Sequence, residues 1–91
     1  MAWSLLLPPH LKQQWHVKIR DKERNEPPHL TVMRGPQAWR IDLRSRAFLV
    51  PPGGSWSDLP VDLQHAIQNS WREACDQWDA TYPHNPVRSR P

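Results

Sequence analysis

Eleven prolines divide this chain of 91 residues into short segments and limit what it can fold into. Three of the breaks are Pro-Pro pairs, at 8–9, 27–28 and 51–52. Neither a helix interior nor a central strand runs through such a pair, because proline lacks the backbone N–H that both need. The prolines follow neither a collagen nor a PxxP period. With the short length, they exclude a helical bundle, a coiled coil and a multi-domain enzyme.

Between the proline pairs, apolar and polar residues alternate, which is the period of half-buried strands. The alternating runs cover residues 15–20, 29–33, 38–44 and, more briefly, 47–50. The connections between them are short, and one contains the turn signal Gly35-Pro36. The sequence therefore predicts an antiparallel meander of three or four strands.

A helical period replaces the alternation after residue 60. Apolar residues recur along one helical face, at Leu63, Ile67, Trp71, Ala74 and Trp78. Ser57 or Asp58 suits the start, and Tyr82-Pro83 marks the stop, so one helix is predicted over 60–81. The predicted fold class is α+β: a three- or four-stranded antiparallel sheet covered on one face by a long C-terminal helix.

The two ends of the chain lack a sustained period. Residues 1–14 contain Pro8-Pro9 and are predicted to form an N-terminal arm, whereas 83–91 hold three prolines and are predicted to be a flexible tail. The folded unit is accordingly expected over 15–82, as a single α+β domain. Arm and tail are both expected to be dispensable for folding.

Cysteine and histidine usage limits the chemistry. The single cysteine, Cys75, excludes a disulfide framework within the chain. The five histidines are scattered without metal-ligand spacing, so neither a metal nor another cofactor is expected. The longest N-terminal apolar run, Leu5–Leu7, is shorter than the roughly 7–15 residues of a secretory core. These features predict a cytoplasmic protein with no membrane association.

Positive charge is concentrated in the first half of the chain. Residues 1–50 hold nine Lys and Arg against four acidic residues, while 51–91 hold three against five. If one helix covers one face of the sheet, the alternation leaves a basic set on the other face. Its predicted nucleic-acid-binding members are His16, Lys18, Arg20, Arg40 and Arg44. The alternative is that these charges only keep an exposed face soluble.

The run Glu26-Pro27-Pro28-His29-Leu30-Thr31-Val32 resembles the core motif of a small bacterial family of unknown function, E-P-P-H-x-H-V. The resemblance extends over about residues 15–82. It implies a toxin-like component of a toxin–antitoxin pair, without an established reaction, and a cognate antitoxin as protein partner. The basic sheet face adds RNA or a ribosome-associated target to the expected partners. Thr31 stands where the family has its second histidine, which argues against an H-x-H metal or acid–base pair.

Metal-independent RNA cleavage is the one reaction that this residue set supports. It requires a base of near-neutral pKa and cations around the phosphate, and the candidate catalytic residues are His29 and Glu26. The alternative for His29 is a ring hydrogen-bonded to the backbone after the Pro-Pro turn. The leading functional hypothesis is a toxin-like protein acting on RNA or translation through a basic sheet face. The alternative is a non-catalytic protein-interaction module, either partner-binding or a phage-type inhibitor.

Overall fold

The computed structural model describes residues 3–20 and 26–87. In this part of the chain, a four-stranded antiparallel sheet is combined with helices, which confirms the predicted α+β class. Residues 21–25, in the connection between the first two predicted strands, lie outside the described residues. The elements, in chain order, are α1 (Pro9–Lys12), β1 (His16–Lys18), β2 (His29–Arg34), β3 (Gln37–Asp42), β4 (Phe48–Val50), a 3-10 turn (Trp56–Asp58), α2 (Val61–Asn69) and α3 (Trp71–Thr81).

The sheet is a meander in which each strand pairs with the next along the chain. Val17 lies opposite Val32, and Val32 lies opposite Trp39, so the apolar members of the alternation share one face. Gly35 turns the chain between β2 and β3 with a φ of +57°, a left-handed conformation that a residue without Cβ adopts readily. The alternation in the sequence thus specifies both the pairing and the face of each residue.

The helix predicted over 60–81 is two helices, α2 and α3, separated by Ser70. Ser70 leaves the helical conformation with a ψ of +13°, and its N–H donates to Ile67 O at 3.1 Å, three residues back. Asn69 and Ser70 are both weak helix formers, because their side chains compete for backbone hydrogen bonds. The apolar stripe continues across the break and packs on the sheet. The buried cluster joins Val17, Leu30, Val32 and Ile41 to Leu63, Ile67, Trp71, Ala74 and Trp78.

The predicted N-terminal arm is packed into the domain wherever the structure describes it. Leu5 N–H donates to Val17 O, and Ile19 N–H donates to Trp3 O, both at 2.8 Å, so residues 3–5 cover the outer edge of β1. Leu7 and Leu11, four residues apart on either side of Pro8-Pro9, are buried in the core. The expectation of a separate arm treated Pro8-Pro9 as a break in the fold. In the structure these prolines begin α1, and the chain packs on the core on both sides of them.

The first part of the predicted tail also packs on the domain. We call residues 82–87 the C-terminal strap. The Tyr82 hydroxyl donates to Arg20 O after β1, and Asn85 Nδ2 donates to Glu26 O before β2, at 2.6 Å. Val87 is buried. The strap therefore runs past the ends of successive strands, and only residues 88–91 of the predicted tail lie outside the described residues.

Candidate nucleic-acid interface

Two of the predicted basic residues lie in one row across the sheet. Lys18 and Arg40 flank Thr31 on either side, on the face opposite to the apolar cluster. Both side chains are half-buried, and Thr31 between them is fully buried, because the centre of the row is enclosed by its longer neighbours. Strand alternation therefore predicted the face of Lys18 and Arg40 correctly.

An acidic side chain accompanies Arg40. Arg40 Nη1 donates to Glu26 Oε1 at 2.7 Å, and both groups are partly exposed. The pair neutralises part of the positive charge on this face, although an ion pair at this exposure contributes little to stability. Glu26, predicted as a catalytic base, is thus held against a guanidinium.

Arg20 and Arg44 lie toward the strap end of the sheet. Arg44 donates from Nη2 to Pro86 O at 2.7 Å and from Nε to Val87 O at 2.8 Å. Arg20 is exposed, and its carbonyl oxygen accepts the Tyr82 hydroxyl hydrogen bond. The five predicted nucleic-acid-binding residues are therefore not one continuous surface, because Arg44 uses its donors to hold the strap.

His29 is buried at the start of β2. Its side chain is 1 % exposed, and its ring packs against that of Trp78 with centroids 5.4 Å apart. Nδ1 donates to Pro27 O at 2.9 Å, because the Pro27-Pro28 turn brings that carbonyl beside the ring. A general base must reach the proton that it removes. The geometry therefore favours the alternative, a ring hydrogen-bonded to the backbone and packed in the core.

A concave basic site lies at the outer edge of β1, and sequence reasoning found only part of it. We call it the N-terminal groove; it is lined by residues 4–7, Lys12 and residues 15–18 and has a volume of about 290 Å³. His16 and Lys18 were predicted binding residues. Lys12 was missed because residues 1–14 were expected to form a separate arm. The spacing of Leu7 and Leu11 was the signal that this segment folds back.

The charge of the N-terminal groove is unopposed within the described residues. Lys12, His16 and Lys18 line it, and none of them forms an ion pair with a carboxylate in the parts of the chain that the structure describes. Arg34 adds another cation nearby, with its guanidinium carbon 5.2 Å from the Trp15 ring centroid. Arg34 is exposed, so this end of β1 and β2 presents positive charge to solvent.

A second groove, of about 440 Å³, lies beside α3. Arg46 and Arg72 line it together with Asp76 and Asp79, so its charges offset one another. Arg46 packs over the Trp71 ring at 5.0 Å, and Asp79 Oδ1 accepts the backbone N–H of Val87. These polar groups thus serve the packing of the turn after β3 and of the strap.

Comparison with known proteins returned no match, because no family model fits the chain and no curated protein or solved structure is significantly similar to it. The resemblance to the E-P-P-H-x-H-V family therefore stays a prediction. No three His, Cys, Asp or Glu side chains come together as a metal-binding group in the described residues. None of the helices in residues 3–20 and 26–87 has the length and apolar character needed to span a bilayer.

Proposed function

We propose that the protein binds RNA through the N-terminal groove and the adjoining sheet face. The observation that carries the proposal is the convergence of Lys12, His16 and Lys18 on one groove, without an ion-paired carboxylate among the described residues. Phosphate contacts from Lys and Arg supply most of the affinity in nucleic-acid binding. Arg40, across Thr31 from Lys18, extends the basic row, with Glu26 limiting its contribution.

The distribution of charge along the chain supports the same surface. The excess of Lys and Arg belongs to residues 1–50, which supply every strand of the sheet and the N-terminal groove. The acidic residues of α2 and α3 lie on the helical layer. A polyanion approaching the edge of β1 therefore meets mainly positive charge.

Binding, rather than turnover, is the activity that the geometry supports. His29 is buried against Trp78 and is closed off from a substrate, whereas Glu26 is partly exposed and would have to leave the Arg40 guanidinium to act as a base. The wider hypothesis, a toxin of a toxin–antitoxin pair with a cognate antitoxin and a ribosome-associated target, rests on the resemblance alone and stays a prediction.

The test is RNA affinity measured as a function of salt. Each neutralised phosphate of a single strand contributes about −0.7 to the slope of log K against log salt. The double variant Lys12→Gln/Lys18→Gln is therefore expected to weaken binding and to make the slope shallower by about 1.4. Arg72→Gln is the matched control, because Arg72 is an exposed cation that lines the other groove.

Two results would overturn the proposal. One is the absence of RNA binding by the wild-type protein even at low salt. The other is an unchanged slope in the double variant. Reversing Arg40 to Glu is a poorer test, because the new carboxylate would face Glu26 and disturb the fold locally.

A second candidate, protein interaction, is supported by the opposite edge of the sheet. β4 is an edge strand of three residues, and its Leu49 and Val50 side chains are 39 % and 40 % exposed. Such an edge can add a strand from a partner protein. The two candidates use different edges, so Leu49→Glu is expected to leave RNA binding unchanged and to disrupt binding of a protein at β4.

A further inference from the structure

The N-terminal groove combines basic side chains with apolar ones, and a purely phosphate-binding surface does not need the apolar part. The cations Lys12 and Lys18 line it together with the consecutive leucines 5–7, which we call the leucine wall. Leu6 is 88 % exposed. An apolar side chain this open gains nothing from phosphate, but it is stabilised when an apolar surface covers it.

We propose that this groove accepts an unpaired nucleobase, so that the RNA bound is single-stranded. The inference rests on the proposed RNA binding and adds the class of RNA. His16 is exposed and lines the groove together with Leu6, so the inserted base would stack on the imidazole and take Leu6 as an apolar contact. Histidine is among the side chains on which unstacked RNA bases are held.

The size of the groove is sufficient for a nucleobase. Its volume of about 290 Å³ is at the lower limit of ordinary ligand pockets, roughly 300–1,000 Å³. In a duplex the bases are paired and stacked, and their faces are not available to a side chain. A groove with apolar walls and a basic rim is therefore complementary to a single strand, whose base and flanking phosphates are both accessible.

Charge complementarity selects this occupant over a lipid chain or an apolar peptide. Lys12 and Lys18 lie on either side of His16 along the chain, and all three residues line the same groove. Phosphates on both sides of an inserted base would meet these two ammonium groups. An acidic peptide supplies charge but no planar ring, and it serves below as the competing occupant.

The experiment compares four probes on the full-length protein at one salt concentration. They are a short unstructured RNA, an abasic phosphodiester chain of the same length and charge, an RNA duplex and an acidic peptide. Stacking on one side chain is worth about tenfold in affinity per base. The unstructured RNA is therefore expected to bind about tenfold more tightly than the abasic chain, and more tightly than the duplex or the peptide.

Variants test the groove itself. Leu6→Ser is expected to remove most of the preference for RNA over the abasic chain while leaving the affinity for the abasic chain nearly unchanged. His16→Ala is expected to reduce the same preference. Val61→Ser is the matched control, since Val61 is an exposed apolar residue on α2 outside the groove. Leu6→Ser and Val61→Ser both change exposed positions, so we expect both variants to fold.

The outcomes separate this inference from the function on which it rests. Equal affinity for RNA and the abasic chain, or tighter binding of the duplex, overturns the base-binding groove and leaves RNA binding intact. Binding of the acidic peptide as tightly as RNA also overturns it and assigns the groove to a protein segment. Absence of binding to every nucleic-acid probe overturns the proposed function and the inference together.

Discussion

Replacing Leu11 with alanine tests whether the N-terminal segment belongs to the folded unit. Leu11 lies on α1 and is 5 % exposed, within the same buried cluster as the sheet and the helices. Leu6 offers a matched control, because it is the same residue type in the same segment and is almost fully exposed. The pair separates burial from every other property of the segment.

The expected cost follows from the atoms removed. Leu→Ala deletes three buried carbons, each worth about 0.8 kcal/mol of transfer free energy, or about 2.4 kcal/mol in all. A cavity term adds to this, but α1 is a single turn near the surface and can relax inward, so the total is expected at about 2–3.5 kcal/mol. A chain of this length has a free energy of unfolding of about 5–14 kcal/mol. The substitution thus removes a substantial fraction of it.

Thermal melts of the wild type and both variants are the assay. A loss of 1 kcal/mol lowers Tm by about 4–8 °C in a domain of this size, so Leu11→Ala is expected to melt about 10–20 °C below the wild type. Leu6→Ala is expected to melt within a few degrees of it. Equal melting of the two variants would refute the reasoning and would return residues 1–14 to the status of a dispensable arm.

Three further substitutions test other parts of the fold. Trp71→Ala removes a buried ring that packs against Trp56 and Arg46, and thermal melts are expected to show a loss of about 3–5 kcal/mol. Arg44→Ala removes the donors to two strap carbonyls; a loss of about 1–2 kcal/mol is expected, with faster proteolysis at the strap in the folded protein. His29→Ala is expected to lower the stability to urea by about 1–3 kcal/mol. Loss of an RNA-cleaving activity without that change would instead support a catalytic His29.

The strands could be predicted because their signal is local and the apolar residues are in phase. Val17, Ile19 and Ile41 each stand between two polar neighbours, and every one of them is buried. The continuity of the helix could not be predicted in the same way. A break of one residue at Ser70 preserves the spacing from Ile67 to Trp71, so an apolar stripe looks the same with or without it.

The candidate site was only partly predictable, for a different reason. His16 and Lys18 follow from strand phase, but the position of the Arg44 guanidinium depends on carbonyl groups 42 and 43 residues further along the chain. No periodicity in residues 38–44 reports on that contact. Burial of His29 likewise depends on Trp78 from α3, although its hydrogen bond to Pro27 O is local and was among the alternatives that the Pro-Pro turn suggested.

The N-terminal groove, the proposed binding surface, follows from a structural requirement of the sheet. β1 would otherwise be an edge strand with unpaired backbone groups, which proteins cover or protect to avoid association. Residues 3–5 cover it through two backbone hydrogen bonds, and the connection back to β1 passes through α1, which is anchored by Leu11. That return path places residues 5–7, Lys12, His16 and Lys18 around one groove. Covering the edge and forming the basic groove are therefore one event in folding, so residues that stabilise the N-terminal segment also maintain the proposed RNA-binding site.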